Sequence, residues 1–274
     1  IASADHASFT VGTAGSFTVS TAASYPAITG LTESGALPAG LSFTDNGDGT
    51  ATIAGTPSIG SGWTYGLRIA ASNGSDPDAG QAFTLTVVEP PRITSTDQAT
   101  FRVGSAGSFT VFSTAGFPTA TALTESGSLP AGIGFTDNGD GTATLAGTAS
   151  TGSGGNYLLT ITAGNGVEPD AGQAFTLTVT EPARVTSADQ ATFTAGSPAS
   201  FTVTTSAGYP VATTLAESGP LPPGVSFTDN GNGTATITGT PAGSGSYPVL
   251  LRASNGVSPS PTQSFTLTVG PPLG

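Results

Sequence analysis

Three all-β modules in tandem, each an antiparallel β-sandwich, are what this sequence predicts, and three observations carry the prediction. The chain repeats itself: Phe9, Phe101 and Phe193 lie 92 residues apart, as do Phe43, Phe135 and Phe227. Phe83, Phe175 and Phe265 follow at 92 and then 90, because the third copy is shorter after its Gly-Thr-Pro. Within a copy the hydrophobic period is two, and turn signals recur about every 8–12 residues with no helical period between them.

The elements follow in order. "GSFTVS" (Gly15–Ser20) and "AFTLTV" (Ala82–Val87) alternate apolar residues with Thr or Ser, as strands buried on one face do. "GLSFTDNGDGTATIAGT" reads as two strands around a tight turn, with Asn46-Gly47 and Asp48-Gly49 supplying residues that tolerate positive φ. "YGLRIAASNG" (Tyr65–Gly74) is a further strand ending in Asn-Gly. About seven strands per copy, with these spacings, describe a sandwich of immunoglobulin type. Tyr65, Tyr157 and Tyr247 each stand eight residues before the Asn of the next turn, where a tyrosine corner could form. The modules run 1–91, 92–183 and 184–274, each the size of a domain that folds alone. Their junctions, "VVEPPRITS" and "TVTEPARVTS", carry proline and no Gly/Ser run, so the linkers are short and stiff.

The order of "LPAGLSF", "DGT", "GTP", "ASNG" and "FTLTV" resembles the bacterial putative-Ig, or cadherin-like, repeat family of surface and secreted proteins. The resemblance spans the whole chain three times over. It implies stalk, adhesion or spacer roles outside the cell and brings no catalytic motif. The second copy departs from it with Ala149 where the others have Pro57 and Pro241.

Composition excludes several functions. Lysine, cysteine and methionine are absent, and 17 acidic residues against five arginines leave a net charge of −12. Such a balance argues against nucleic acid and anionic membrane surfaces. No apolar run is long enough to span a bilayer. A chain opening at Ile1 without methionine or leader is expected to be a segment of a longer secreted array.

The Asp/Asn/Gly-rich stretch admits two readings. An EF-hand loop with Gly49 at position 6 would place Thr44 at position 1 and Gly55 at position 12, and neither is a proper ligand. A hairpin turn needs only what is present. Calcium between modules is the other metal candidate, with Glu89 and Glu181 before the linkers and Asp97 and Asp189 after them. Arg92 and Arg184, three residues on, could instead pair with those glutamates. His6 is the single histidine, which leaves little for nucleophilic or general-base catalysis, and no enzyme is expected. Without lysine a Lys–Asn isopeptide is impossible, whereas an ester from a threonine to Gln81, Gln173 or Gln263 stays open. "NGS" at Asn73 and "NGT" at Asn232 match the glycosylation sequon. Trp63, without an aromatic counterpart in the other copies, is expected to pack on an edge or in the core rather than to bind a sugar.

The expected function is therefore that of an extracellular or cell-surface spacer, with neighbouring repeats of the same chain as its partners. A glycan-binding or protein-binding adhesin and a self-assembling fibre of like chains are the alternatives; neither cofactor nor nucleic acid nor membrane insertion is expected.

Overall fold

Alternation of Thr with Phe, Leu, Ile and Val gives strands throughout, and two sheets per module close over their apolar faces. The computed structural model describes residues 1–27, 30–206 and 208–272, so Leu273 and Gly274 of the third module lie outside the described residues. The first module comprises β1 (His6–Thr10), β2 (Gly15–Ser20), β3 (Gly30–Ser34), β4 (Leu41–Asp45), β5 (Thr50–Gly55), β6 (Trp63–Ser72) and β7 (Ala79–Val88). One sheet is ordered β1-β7-β6-β3 and the other β2-β5-β4. The two later modules repeat both sheets and add a short strand, β8 (Arg92–Ile93) in the second and Arg184–Val185 in the third, at the edge of the smaller sheet.

One pairing departs from a purely antiparallel sandwich. β1 runs parallel to β7, with His6 opposite Thr84 and Thr10 opposite Val88. The same parallel pair joins Gln98–Arg102 to Ala171–Thr180 and Gln190–Thr194 to Thr262–Gly270. The chain enters each later module on the smaller sheet, where Ile93 faces Ser113, and crosses to the larger one within a few residues.

Each module has its own core. The first is built from Phe9, Val19, Leu31, Ile53, Leu67, Ile69, Phe83, Leu85 and Val87, and equivalent clusters fill the other two. A tilted ring pair ties the two sheets together: Phe17 on Phe83, Phe109 on Phe175 and Phe201 on Phe265, with centroids 5.2–5.3 Å apart. Phe43, Phe135 and Phe227, which the strand phase also points inward, are only half-buried against these cores. Their strand is the edge of the smaller sheet, so nothing covers the ring's outer side.

The Leu-Pro-x-Gly and Gly-Thr-Pro elements prove to be two halves of one contact. A Cβ on Gly40 would stand 2.0 Å from the Thr56 carbonyl oxygen, and one on Gly55 2.1 Å from that of Gly40. Two backbones therefore pass where no side chain fits, and the Thr56 amide donates to Gly40 O at 3.0 Å. The Pro57 carbonyl accepts from Gly12 N, and Ala149 offers its own carbonyl to Gly104 N in the same way, so the second copy's departure leaves the contact whole.

Candidate functional site

Four features were candidates: the Asp/Asn/Gly turn, the junction acids, Trp63 and the tyrosines. The turn uses its polar atoms internally. Asp45 Oδ1 accepts from Gly47 N, and Asp48 Oδ1 accepts from both the amide and the hydroxyl of Thr50, at 3.0 and 2.6 Å. Those Thr50 bonds, the side-chain one first, hold the Asp48 carboxyl below its ordinary pKa, and Thr142 does the same for Asp140. In the third copy Asn232 Oδ1 takes the same two bonds from Thr234 without any charge. The role asks for an acceptor, not an anion. Tyr65 and Tyr157 donate to the carbonyls of Ser61 and Ser153, four residues upstream, as a tyrosine corner does.

The junctions hold the densest constellation. Glu89 follows β7 directly, and its backbone pairs forward with the second module: Glu89 N donates to Phe117 O and Phe117 N to Glu89 O, both at 2.8 Å. Its side chain points back into the first module. Gly60 N donates to both carboxylate oxygens, at 2.9 and 3.2 Å, and Gly62 N to Oε2 at 3.1 Å. Asn165 closes the arrangement from the second module, its Nδ2 donating to Glu89 O and to Pro118 O, each at 2.8 Å. One residue, only 9% exposed, thus grips both modules, with its carboxylate on one and its peptide group on the other.

The second junction repeats the first. Gly152 and Gly154 amides hold the Glu181 carboxylate, Glu181 and Tyr209 exchange backbone bonds, and Asn255 Nδ2 donates to Glu181 O and Pro210 O. The close approach depends on glycine at φ near +65°. A Cβ on Gly116 or Gly208 would lie 2.3 Å from the Glu89 or Glu181 carbonyl oxygen.

The acids proposed to share calcium are therefore not brought together. Glu89 and Glu181 are engaged by backbone amides, and the Asp97 and Asp189 carbonyls serve the sheet by accepting from Thr176 N and Thr266 N. Among the described residues no group of three or more His, Cys, Asp or Glu is placed to hold a metal ion. Nor do Arg92 and Arg184 pair with the glutamates; the one ion pair among the described residues joins His6 to Asp5. Trp63 lies at the first junction, its ring 5.6 Å from that of Phe117 in the next module.

Sequence reasoning located the glutamates but missed their partners Gly60, Gly62, Gly116, Phe117 and Asn165. One signal was available. In the third copy, Pro241 to Tyr247 is two residues shorter than Ala149 to Tyr157, and Pro271 stands where Glu89 and Glu181 stood. Loop and glutamate are lost together, as two halves of one device would be.

Residues 1–88 and 181–270, well over half of the chain, match the family described as Putative Ig domain. Among solved structures, the I-band fragment I67–I69 from titin aligns with 97% of this chain and 95% of its own, at a TM-score of 0.64 and 16% identity. An E-to-A variant of the same three titin domains aligns with a TM-score of 0.66 at 16% identity, over the same shares of both chains. The N-terminal eight Ig domains of Down Syndrome Cell Adhesion Molecule align over 96% of this chain and 35% of theirs, with a TM-score of 0.55 and 20% identity. At these identities the likeness is one of fold. No curated protein matches the chain in sequence.

Proposed function

The chain belongs to the Putative Ig domain family, and from that footing we propose that it is a non-catalytic spacer of an extracellular bacterial surface or secreted protein. The observation that carries this reading is the junction clamp, built twice with a glutamate, two glycines, an aromatic residue and an asparagine in the same roles. A buried carboxylate with charge-assisted bonds on one side and a backbone bridge on the other resists bending in a way a bare proline linker does not. Such a joint transmits orientation from one module to the next, which a spacer requires and an isolated domain does not. Location outside the cell rests on the family and on the array form. Among the described residues no helix is long and apolar enough to cross a membrane. The adhesin reading has less to draw on, since Trp63, although 61% exposed, already packs at a tilt against Phe117 of the next module.

Solution scattering tests the proposal. Strands rising about 3.3 Å per residue make each sandwich roughly 35–45 Å long, so three clamped modules should extend to about 110–130 Å. The envelope is expected to stay extended when a chelator is added, and to broaden into a flexible ensemble in the Glu89→Ala/Glu181→Ala double variant. A compact particle would overturn the spacer; collapse on chelation would replace the amide clamp with calcium at Glu89, Asp97, Glu181 and Asp189.

A further inference from the structure

A row of polar side chains crosses the inner face of the larger sheet in every module. In the first, Glu33 and Gln81 both lie opposite Ile69, which is fully buried, so all three side chains leave the sheet on the core side. Gln81 Nε2 donates to the backbone carbonyl of Ser3 at 3.4 Å, which sets Ser3 beside it at the start of the module. Ser95, Gln173, Ile161 and Glu125 repeat the row in the second module, and Ser187, Gln263, Leu251 and Glu217 in the third. There Gln173 Nε2 donates to Ser95 O at 3.1 Å and Gln263 Nε2 to Ser187 O at 2.9 Å.

All three rows leave the same atoms buried and without a hydrogen-bond partner: the serine Oγ, the glutamine Oε1 and one glutamate carboxylate oxygen. A buried polar atom without a partner is destabilising, so nine of them are not a neutral solution to packing. An ordinary core would replace them with apolar groups. Their repetition calls for a chemical reason, and the atoms themselves supply one. A hydroxyl, a carboxamide and a carboxyl group are the reactants and the proton carrier of acyl transfer.

We propose that each module closes an intramolecular ester between the serine hydroxyl ahead of its first strand and the glutamine of its last: Ser3 to Gln81, Ser95 to Gln173 and Ser187 to Gln263. The hydroxyl oxygen attacks the glutamine Cδ while the carboxylate of Glu33, Glu125 or Glu217 takes the hydroxyl proton. The tetrahedral intermediate collapses by breaking the Cδ–Nε2 bond, the glutamic acid returns the proton to nitrogen, and ammonia leaves. One amide and one hydroxyl become one ester and one ammonia, and no oxidant or cofactor is needed. The Nε2 bond to the serine's own carbonyl holds the carboxamide beside the attacking residue, so the step draws on proximity rather than on an activated substrate. Desolvation raises the pKa of Glu33 and Glu125, which makes each a better proton acceptor than a solvated carboxylate. Once closed, the bond is shielded from water by the core, and the orphaned hydroxyl no longer exists. The hydroxyl partner would then be a serine, where the sequence alone left a threonine open.

The bond would close loops spanning 78, 78 and 76 residues. Tension entering at the first strand would cross the ester to the last strand and leave for the next module without loading anything in between.

Mass spectrometry of the freshly folded full chain decides the matter. Trypsin cuts only at arginine here, and Arg68, Arg92, Arg102, Arg184 and Arg252 put the two members of every pair on different peptides. The expected result is an intact mass three ammonias below that of the sequence, with each serine peptide joined to its glutamine peptide and released by mild alkali. Ser95→Ala should restore one ammonia and free the second pair alone, and Glu125→Gln should leave that pair open. A full sequence mass would overturn the proposal. So would an ammonia deficit with all peptides recovered separately, which a succinimide at an Asn-Gly turn would give. A Glu125→Gln chain that still links Ser95 to Gln173 would remove the glutamate from the mechanism.

Discussion

The two junctions share their backbone and differ in their trimmings. Both have a glutamate on two glycine amides, a two-bond bridge to an aromatic residue and an asparagine closing the far side. Only the first has an aromatic stack, Trp63 on Phe117, because Gly155 occupies the tryptophan position in the second. Only the second has a bond from Ala183 N to Asn255 Oδ1, at 3.3 Å, because the equivalent Pro91 has no amide hydrogen to give. Among the described residues each joint thus has a contact that the other lacks. What stays constant is the polar grip on a buried carboxylate; what varies is the packing around it, and the constant part is the one that sets the angle between modules.

If that division is right, removing the glutamate should hurt both joints equally and more than any other change. Glu89→Ala or Glu181→Ala leaves two glycine amides without their acceptor, an expected loss of about 2–4 kcal/mol in the flanking modules. Calorimetry of each single variant checks it, and a twofold difference between the two would mean that the clamps are not equivalent. Gly116→Ala and Gly208→Ala come next. A methyl group would press on the linker carbonyl from a left-handed backbone, at an expected cost of about 1–3 kcal/mol and with loss of the bridge. Amide exchange at Phe117 and Tyr209 reports the bridge directly. The remaining changes should separate the joints. Trp63→Ala should cost about 0.5–1.5 kcal/mol beyond lost area and act on the first junction alone, read as residual dipolar couplings between modules one and two. The smallest effect is that of Ala183→Pro, which makes the second junction resemble the first at a cost of about 0.5–1.5 kcal/mol. Its melting point should fall slightly while the scattering envelope stays the same.

How much of this was legible beforehand follows from what leaves a local trace. Strands, turns and module length are written as periodicity, so the "FTLTV" strands and the Asp-Asn-Gly-Asp-Gly hairpin could be read directly, and the missing charge at Asn232 already favoured a turn over calcium. Phe43 reads like Phe83 because alternation reports which face a residue is on, not whether its strand is central or at the edge. The parallel pairing of β1 with β7 joins residues 78 apart, which no local pattern encodes. Glu89 could be noticed as a lone acid beside prolines, but its partners are peptide amides, and an amide carries no residue identity to search for. Asn165 looked like a turn residue because it is one; its second task arises only when the next linker passes by.

The clamp is divided between modules, and that division bears on how such a chain can change in length. The upstream half is Glu89 with the Gly60–Gly62 loop; the downstream half is Gly116, Phe117 and Asn165, or Gly208, Tyr209 and Asn255. Excising residues 92–183 would bring Glu89 against Gly208, Tyr209 and Asn255, so a complete joint would form from parts that had never met. Duplicating the same segment would create one more joint of the same kind. The traffic is not free in every direction. Ser24, at a negative φ, holds the place of Gly116 in the first module, so the left-handed backbone that admits the linker carbonyl at the two joints is not present there. Copy number can therefore drift by unequal recombination between near-identical repeats, with each product ready to fold and join, while the first module keeps a place that none of its own copies could fill further down the array.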